Sequence, residues 1–497
     1  MWNKLISRGS MLGYSVLMIM VLIICMTAGE IEYVHKKIFQ FSNWYYLVVG
    51  LIGIMVIGLV GIWLEKKAWF QRCDRVFVAI ICALLFVTLV FVTHYYYFHT
   101  GWDAGLIAIS ASTLADGMPE NLSEWYFSVY PNNIFITIVF SVVIRLGRLT
   151  GALTDYNWLV IFQSAGWTFS AFLVYMSAEK LSGRKSIAVS SWLLMLAIAG
   201  VSPWVTVPYS DSMGLFWTAI VLYLFAYNKG MLPMGFFLAT GYFIKPHILI
   251  MGIAMLITQS GSLLKNRKRV ALVALGFLLG IGTVKGGEII CGFDVNPERT
   301  FGVKHFLMLG LNEEYNGVIN IEDQDFSMAI TTKAERDRAN MEVARQRLED
   351  MSFGRLLTHL RRKILTAYND GSFAWWCEGE FYLIQVWTGS PKLEKVFRQF
   401  YYPDGRYYNL FLNYGQSIWI GSLFVGAFAA LFKKNEKINV FLLTMIGYVF
   451  YEMIFEPRAR HLLTAMPIWV ILVSVAMFGI FGMVLRGMQK IPFGNRQ

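Results

Sequence analysis

Residues 44–64 read WYYLVVGLIGIMVIGLVGIWL, an apolar stretch with no charged side chain between Asn43 and Glu65. About 20 such residues in an α-helix cross a bilayer core about 30 Å thick. Comparable runs flank it at 11–28 and 76–98, and more follow at 131–149, 158–178, 187–206, 213–227, 232–258, 270–289, 410–432, 438–455 and 462–485. These windows predict an all-α polytopic membrane protein of about 12–14 transmembrane helices, with juxtamembrane helices on its outer side. The composition agrees: 56% of residues are apolar and 15% charged, against about 25% charged in soluble domains. Mean hydropathy is +0.52. A soluble protein is excluded.

The first run follows Lys4 and Arg8 without a small-residue cleavage site and reads as a retained span. Basic residues cluster in short loops: Lys66, Lys67, Arg72 and Arg75, then Lys265, Arg267, Lys268 and Arg269, then Lys433, Lys434 and Lys437. Such clusters mark the cytoplasmic side. The net charge of +11 is thereby a topology signal and does not call for nucleic acid. It makes the protein multi-pass in the cell membrane, with both termini cytoplasmic and residues 99–130 and 290–409 outside. The middle resists this scheme. If every window crosses once, Lys180, Arg184 and Lys185 lie outside and Asp211 inside. Pro246 breaks a helix by removing a donor and clashing with the preceding turn, so residues 232–262 can be two half-helices meeting at the outer face, with Asp211 beside them.

Three segments result: an N-terminal transmembrane module, 1–289, with its first outer loop at 99–130; one large extracytoplasmic insert, 290–409; and C-terminal transmembrane helices, 410–497. Within the insert, Thr332 to Asp350 reads as a helix. Leu356, Leu357, Leu360 and Ile364 then recur at helical spacing opposite a basic side, the pattern of a helix lying in the membrane interface. Cys291 and Cys377 both fall in this insert and can pair, although their spacing gives no disulfide framework. No cysteine–histidine spacing resembles a zinc site.

Charged groups at membrane depth are costly and mark functional candidates. Asp103, in Gly101-Trp102-Asp103-Ala104-Gly105, directly follows the third run and suits a general base on an acceptor hydroxyl; Trp102 beside it can stack on a sugar. Tyr130-Pro131-Asn132-Asn133 opens the next run, with proline at a first helical position and Tyr130 and Asn132 as sugar contacts. Glu456-Pro457-Arg458-Ala459-Arg460-His461 lies between the last two runs. Arg458 and Arg460 can give planar, bidentate donation to a lipid phosphate, with His461 alongside, while Glu456 either contacts sugar or merely pairs with an arginine. Lys245, in Lys245-Pro246-His247, is a further phosphate ligand or an interface cation. Asp211 can hold acceptor or cation. Asp370, Glu378 and Glu380 are weaker candidates.

An acidic residue in the first outer loop, followed by an aromatic residue before proline at the next helix, resembles the GT-C superfamily of polyprenyl-phosphate-sugar-dependent glycosyltransferases, which includes protein O-mannosyltransferases and the aminoarabinose transferases of lipid A. The Glu456–His461 element is similar to a Glu-x-Arg-x-Arg-Tyr element of related bacterial membrane proteins, with His461 in place of the aromatic. The length and late insert also resemble membrane proteins of Gram-positive bacteria. The resemblance implies a GT-C-like fold and transfer of a sugar from a polyprenyl phosphate to an extracytoplasmic cell-envelope glycan or polymer, inverting if displacement is single. Membrane lipids are the other partners, and oligomeric state is open. Asp103 is followed by Ala104 where a second acidic residue would complete a pair, so no metal ligand is assigned, and a divalent cation stays an open alternative. No Gly-rich nucleotide cradle is present. Two alternatives remain: a transporter or flippase of lipid-linked saccharides, and an O-antigen-type polymerase or ligase.

Overall fold

The computed structural model describes residues 2–489 apart from 29–31, 34–35, 38–39, 96, 100, 152, 379–384, 388–390 and 433–434. Glu380, Lys433 and Lys434 thus lie outside the described residues. The chain is all-α. Its helices are α1 (Trp2–Thr27), α2 (Asn43–Glu65), α3 (Ala68–Tyr95), α4 (Asp103–Ala115), α5 (Glu124–Val129), α6 (Ile134–Arg148), α7 (Asp155–Ser182), α8 (Lys185–Ile198), α9 (Ser210–Tyr227), α10 (Met231–Ile244), α11 (Ile248–Lys265) and α12 (Arg267–Ile290). The region after α12 adds α13 (Val303–Gly310), α14 (Ile321–Met328), α15 (Lys333–Asp350), α16 (Phe353–Tyr368), α17 (Trp375–Glu378) and α18 (Pro391–Tyr401), before α19 (Tyr408–Ala427), α20 (Ile438–Ile454) and α21 (His461–Gln489). A short antiparallel ladder pairs Tyr97–His99 with Gln385–Trp387 and ties the end of the third span to the insert. By length and hydropathy α1, α2, α3, α7, α12 and α21 can each cross a membrane, and α8, α10, α11 and α20 are shorter apolar helices.

Two ends of the bundle are defined by polar contacts. At one end Arg75 pairs with Glu179 at 3.0 Å, Lys185 with Asp74 at 2.7 Å and Arg184 with Glu65 at 3.8 Å. Asn435 Nδ2 donates to the Leu181 carbonyl there, and Lys437 Nζ to those of Phe225 and Ala226. The basic turn 179–185 therefore shares an end with the basic loop at 66–75. The reason is α6. Instead of running to that end, it finishes at Arg148, which pairs with Asp116 after α4 and with Asp155 at the start of α7. Window 131–149 therefore ends where α7 begins, and window 232–258 is divided into α10 and α11, which meet at Lys245–His247. The segment at 99–130, expected as a loop, holds α4 and α5.

Close helix approach depends on small residues where no water-driven force separates lipid from helix. A Cβ on Gly421 of α19 would lie 2.7 Å from the Gly50 carbonyl carbon of α2, and one on Gly280 of α12 would lie 2.6 Å from Ala239 Cβ of α10. α16 buries His359, Lys363, Ile364 and Leu365 against the protein and leaves Leu357 51% exposed. Cys291 and Cys377 are free thiols. Gly421→Val should force α2 and α19 apart and cost about 1–3 kcal/mol, read as a lower unfolding midpoint in detergent. Gly286→Ala, where an added Cβ meets nothing within 4 Å, should be neutral or slightly stabilising.

Candidate functional site

The other end of the bundle gathers the charges. α10 must stop at Ile244, since the N–H-less Pro246 follows, and Lys245 takes an extended conformation (φ −151°, ψ 112°). This turns Lys245 Nζ onto Asp211 Oδ1 at 2.7 Å, at the first turn of α9. Asp211 Oδ2 lies 3.3 Å from Arg460 Nε. Arg460 Nη1 reaches Glu378 Oε2, and Arg458 Nη1 meets Glu378 Oε1 at 2.8 Å. Arg458 Nε also donates to Glu456 Oε1 at 2.8 Å. Three cations and three carboxylates are thereby paired in one buried network; Asp211 is fully buried and Arg458 and Arg460 are each 9% exposed. Breaking one member of such a network leaves an uncompensated charge and costs about 3–5 kcal/mol.

Asp103 sits at the edge of this network as the first residue of α4. Tyr209 Oη donates to Asp103 Oδ2 at 3.3 Å, and the Arg460 guanidinium lies 4.9 Å from the Trp102 ring and 5.4 Å from that of Tyr209. Burial pushes the Asp103 carboxyl up, against the opposing pull of Arg460 and the hydrogen bonds from Tyr126 and Tyr209. Burial also works to raise the Glu456 carboxyl, but the Arg458 charge and hydrogen bond outweigh it and hold it below the usual range.

The insert fixes the arginine turn from three sides. Glu378 supplies the bridge described above. The Ile319 N–H donates to Glu456 Oε1 at 3.2 Å. Lys363 Nζ donates to the carbonyls of Gly310 at 2.6 Å and Phe455 at 2.7 Å. Burial lowers the Lys363 ammonium to about 7, with Glu452 and Glu456 pulling the other way; the neutral amine still has two N–H groups for its two carbonyls. Asp370 proves to be a local scaffold. Its carboxylate accepts from the Ser372 and Ala374 N–H groups and from Trp376 Nε1, holding a turn in which Phe373 (φ 55°) and Ala374 (φ 66°) are both left-handed. Non-glycine residues are uncommon there, and this turn leads directly into Glu378.

Of the sequence candidates, Asp103, Trp102, Asp211, Lys245, Glu456, Arg458 and Arg460 come together. Tyr130 lies at the margin: its hydroxyl accepts from Gln324 Nε2 at 3.0 Å and its ring packs on Tyr126 and Phe301. Asn132 is exposed and donates to Asn133 Oδ1, so the structure does not bring it to the network. The inward residue is Asn133, whose amide donates to Tyr126 Oη at 2.7 Å. His461 faces Glu452, Nδ1 to Oε1 3.2 Å, rather than the arginines' carboxylates. Glu452 was not a sequence candidate, although a lone carboxylate inside the apolar window 438–455 is itself a signal. His247, Glu452 and His461 place one ligand atom each within 4.8 Å of one another and could hold a metal ion.

The chain belongs to the family described as conserved hypothetical integral membrane protein, whose profile matches residues 2–478. No curated protein matches. Among solved structures, the chain is similar to an archaeal oligosaccharyltransferase, AglB from Archaeoglobus fulgidus, solved in complex with an inhibitory peptide and a dolichol-phosphate. Identity is 14% and the TM-score 0.40, over 86% of this chain and 53% of that one. The chain thus spans about half the length of this protein, and a likeness so distant leaves the functional reading to the site itself.

Lys363 gives a test of the clamp. Its folded-state value of about 7 lies below the ordinary 10.5, so the unfolded chain binds the additional proton between these values and stability rises with pH across that window. The contribution is lost as pH falls through 7. Unfolding midpoints of wild type should rise from pH 7 to pH 10 relative to Lys363→Met, which removes the titration. Asp370→Ala should lower the midpoint by releasing the buried Ser372 and Ala374 N–H groups, a cost of about 1–3 kcal/mol each, together with the Trp376 indole N–H.

Proposed function

We propose that this protein is a membrane glycosyltransferase that moves a sugar from a polyprenyl-phosphate donor to an extracytoplasmic cell-envelope glycan or polymer. The observation that carries the reading is the position of Asp103, a half-buried carboxylate outside the neutralised pairs, next to Arg460 and hydrogen-bonded by Tyr209. In this reading the basic end, with Arg75, Lys185 and Lys437, faces the cytoplasm and the Asp103 end faces out. The termini are then cytoplasmic, since α1 starts at the basic end, with Ser10 Oγ donating to Asn439.

Asp103 takes or orients the proton of the incoming hydroxyl as it attacks the anomeric carbon. The bond from that carbon to the lipid phosphate oxygen breaks, its electron pair leaves with the phosphate, and the configuration inverts. Charge growing on the leaving phosphate needs donors fixed in advance. Glu378 holds Arg458 and Arg460 side by side for that purpose, and each guanidinium has five N–H donors. Asp211 keeps Lys245 and Arg460 aligned, and Trp102 offers a face to the sugar.

The test is transfer of labelled sugar from a synthetic polyprenyl phosphate by protein purified in detergent with a crude envelope acceptor. Asp103→Asn, which keeps shape and removes the base, should lower turnover about 10²–10⁴-fold. Arg460→Lys should cost about 10²-fold or more through the loss of planar donation. Full turnover in Asp103→Asn would remove the proposed base.

A further inference from the structure

We infer that His247, Glu452 and His461 form a divalent transition-metal site, of the class that takes zinc, distinct from the arginine–carboxylate network. The three side chains come from separate elements: the break between α10 and α11, the last turn of α20, and the first residue of α21. All are almost fully buried, at 2%, 1% and 7% exposure. His247 supplies the observation that points to a ligand. Among the described residues, neither of its ring nitrogens has a hydrogen-bond partner, although burying a polar group without one costs about 1–3 kcal/mol. Its ring stands 4.5 Å from that of His461 and 4.1 Å from that of Tyr451, so it is aimed into the cluster and not away from it.

The donor set is two imidazoles and one carboxylate, which zinc accepts as three protein ligands with a fourth position open. Calcium and magnesium prefer oxygen ligands throughout. Ligand atoms around a tetrahedral zinc, with bonds of about 2.0–2.2 Å, stand about 3.4 Å apart. His461 Nδ1 and Glu452 Oε1 already stand 3.2 Å apart, while the full set spans up to 4.8 Å. Binding would draw the set together by about an ångström or less. Zinc replaces the proton between His461 Nδ1 and Glu452 Oε1, and that proton leaves to solvent.

Nearby cations would oppose a metal, but Lys245 has Asp211, Arg458 has Glu378 and Glu456, and Arg460 has Glu378 and Asp211, while Lys363 is held by two carbonyls and burial favours its neutral form. The carboxylate of Glu452 is not used by any of these side-chain pairs. Its other oxygen accepts from the Arg458 backbone N–H at 2.9 Å. A metal here would therefore pin both ends of the 455–460 turn, one through Glu452 and the other through His461.

The full-length protein in detergent, stripped with a chelator, reloaded with zinc and desalted, should retain one zinc per chain by elemental analysis. His247→Ala and Glu452→Gln should each weaken zinc retention against a competing chelator by more than the roughly 10–100-fold caused by loss of a supporting contact. His305→Ala, which removes a buried histidine bonded to Ser327, should retain it. Because the ligand variants could misfold, the wild-type protein is also loaded with cobalt(II), whose visible bands report a tetrahedral nitrogen–oxygen site. Zinc that washes off the wild type, retention unchanged in His247→Ala, or a cobalt spectrum like that of the hydrated ion would each overturn the site. None of these readouts involves sugar transfer, so they stand apart from the fate of the glycosyltransferase reading.

Discussion

The bridge from Glu378 to Arg458 and Arg460 is the interaction on which the described end of the molecule depends. Two neighbouring guanidiniums would repel each other strongly in a buried setting, and a single carboxylate with one oxygen on each is what lets them sit together. The bridge also joins two parts of the chain that would otherwise have no reason to meet, the short helix α17 of the insert and the turn between the last two long helices. Everything around it is arranged to hold its two sides in place. Asp370 sets the left-handed turn that delivers Glu378, and Lys363 and the Ile319 N–H fix the turn that carries the arginines.

A second layer of pairing extends the bridge into the helical bundle. Arg460 passes from Glu378 to Asp211, and Asp211 passes to Lys245, so α9 and the α10–α11 break are held in the same chain of charges. The alternation of sign along that chain is what makes its burial tolerable. Asp103 stands just beyond its end, with Tyr209 as the link.

Most of the architecture was legible in the sequence because apolar length is a direct statement about the solvent around a helix. Direction was not legible. The run 131–149 carries Arg145 and Arg148, and α6 is only 15 residues long; the Arg148 pairs with Asp116 and Asp155 fix its end beside the start of α7. The charge rule had already protested at Lys180–Lys185, and Pro246 had located the compensating break. In the site, charged residues in apolar surroundings were readable at Asp103, Asp211, Lys245, Arg458 and Arg460. Glu378 stood among the weaker candidates because it lies in a polar insert, where a carboxylate is unremarkable. Asn132 was chosen over Asn133 because position beside a proline does not say which side chain faces inward. In α16 the apolar stripe did not announce Lys363, which is buried on the same side as Ile364 and Leu365 because two carbonyls satisfy it.

The clamp on the 455–460 turn also has a consequence for the order in which the molecule is made. Asp103, Asp211, Lys245 and Glu378 all leave the ribosome before either arginine exists. Until Arg458 and Arg460 arrive, Glu378 lacks both of its guanidinium partners and Asp211 lacks one. The charged core can therefore close only after α20 and the turn that follows it have been made, and a chain interrupted before residue 458 contains every helix up to α20 but not the site.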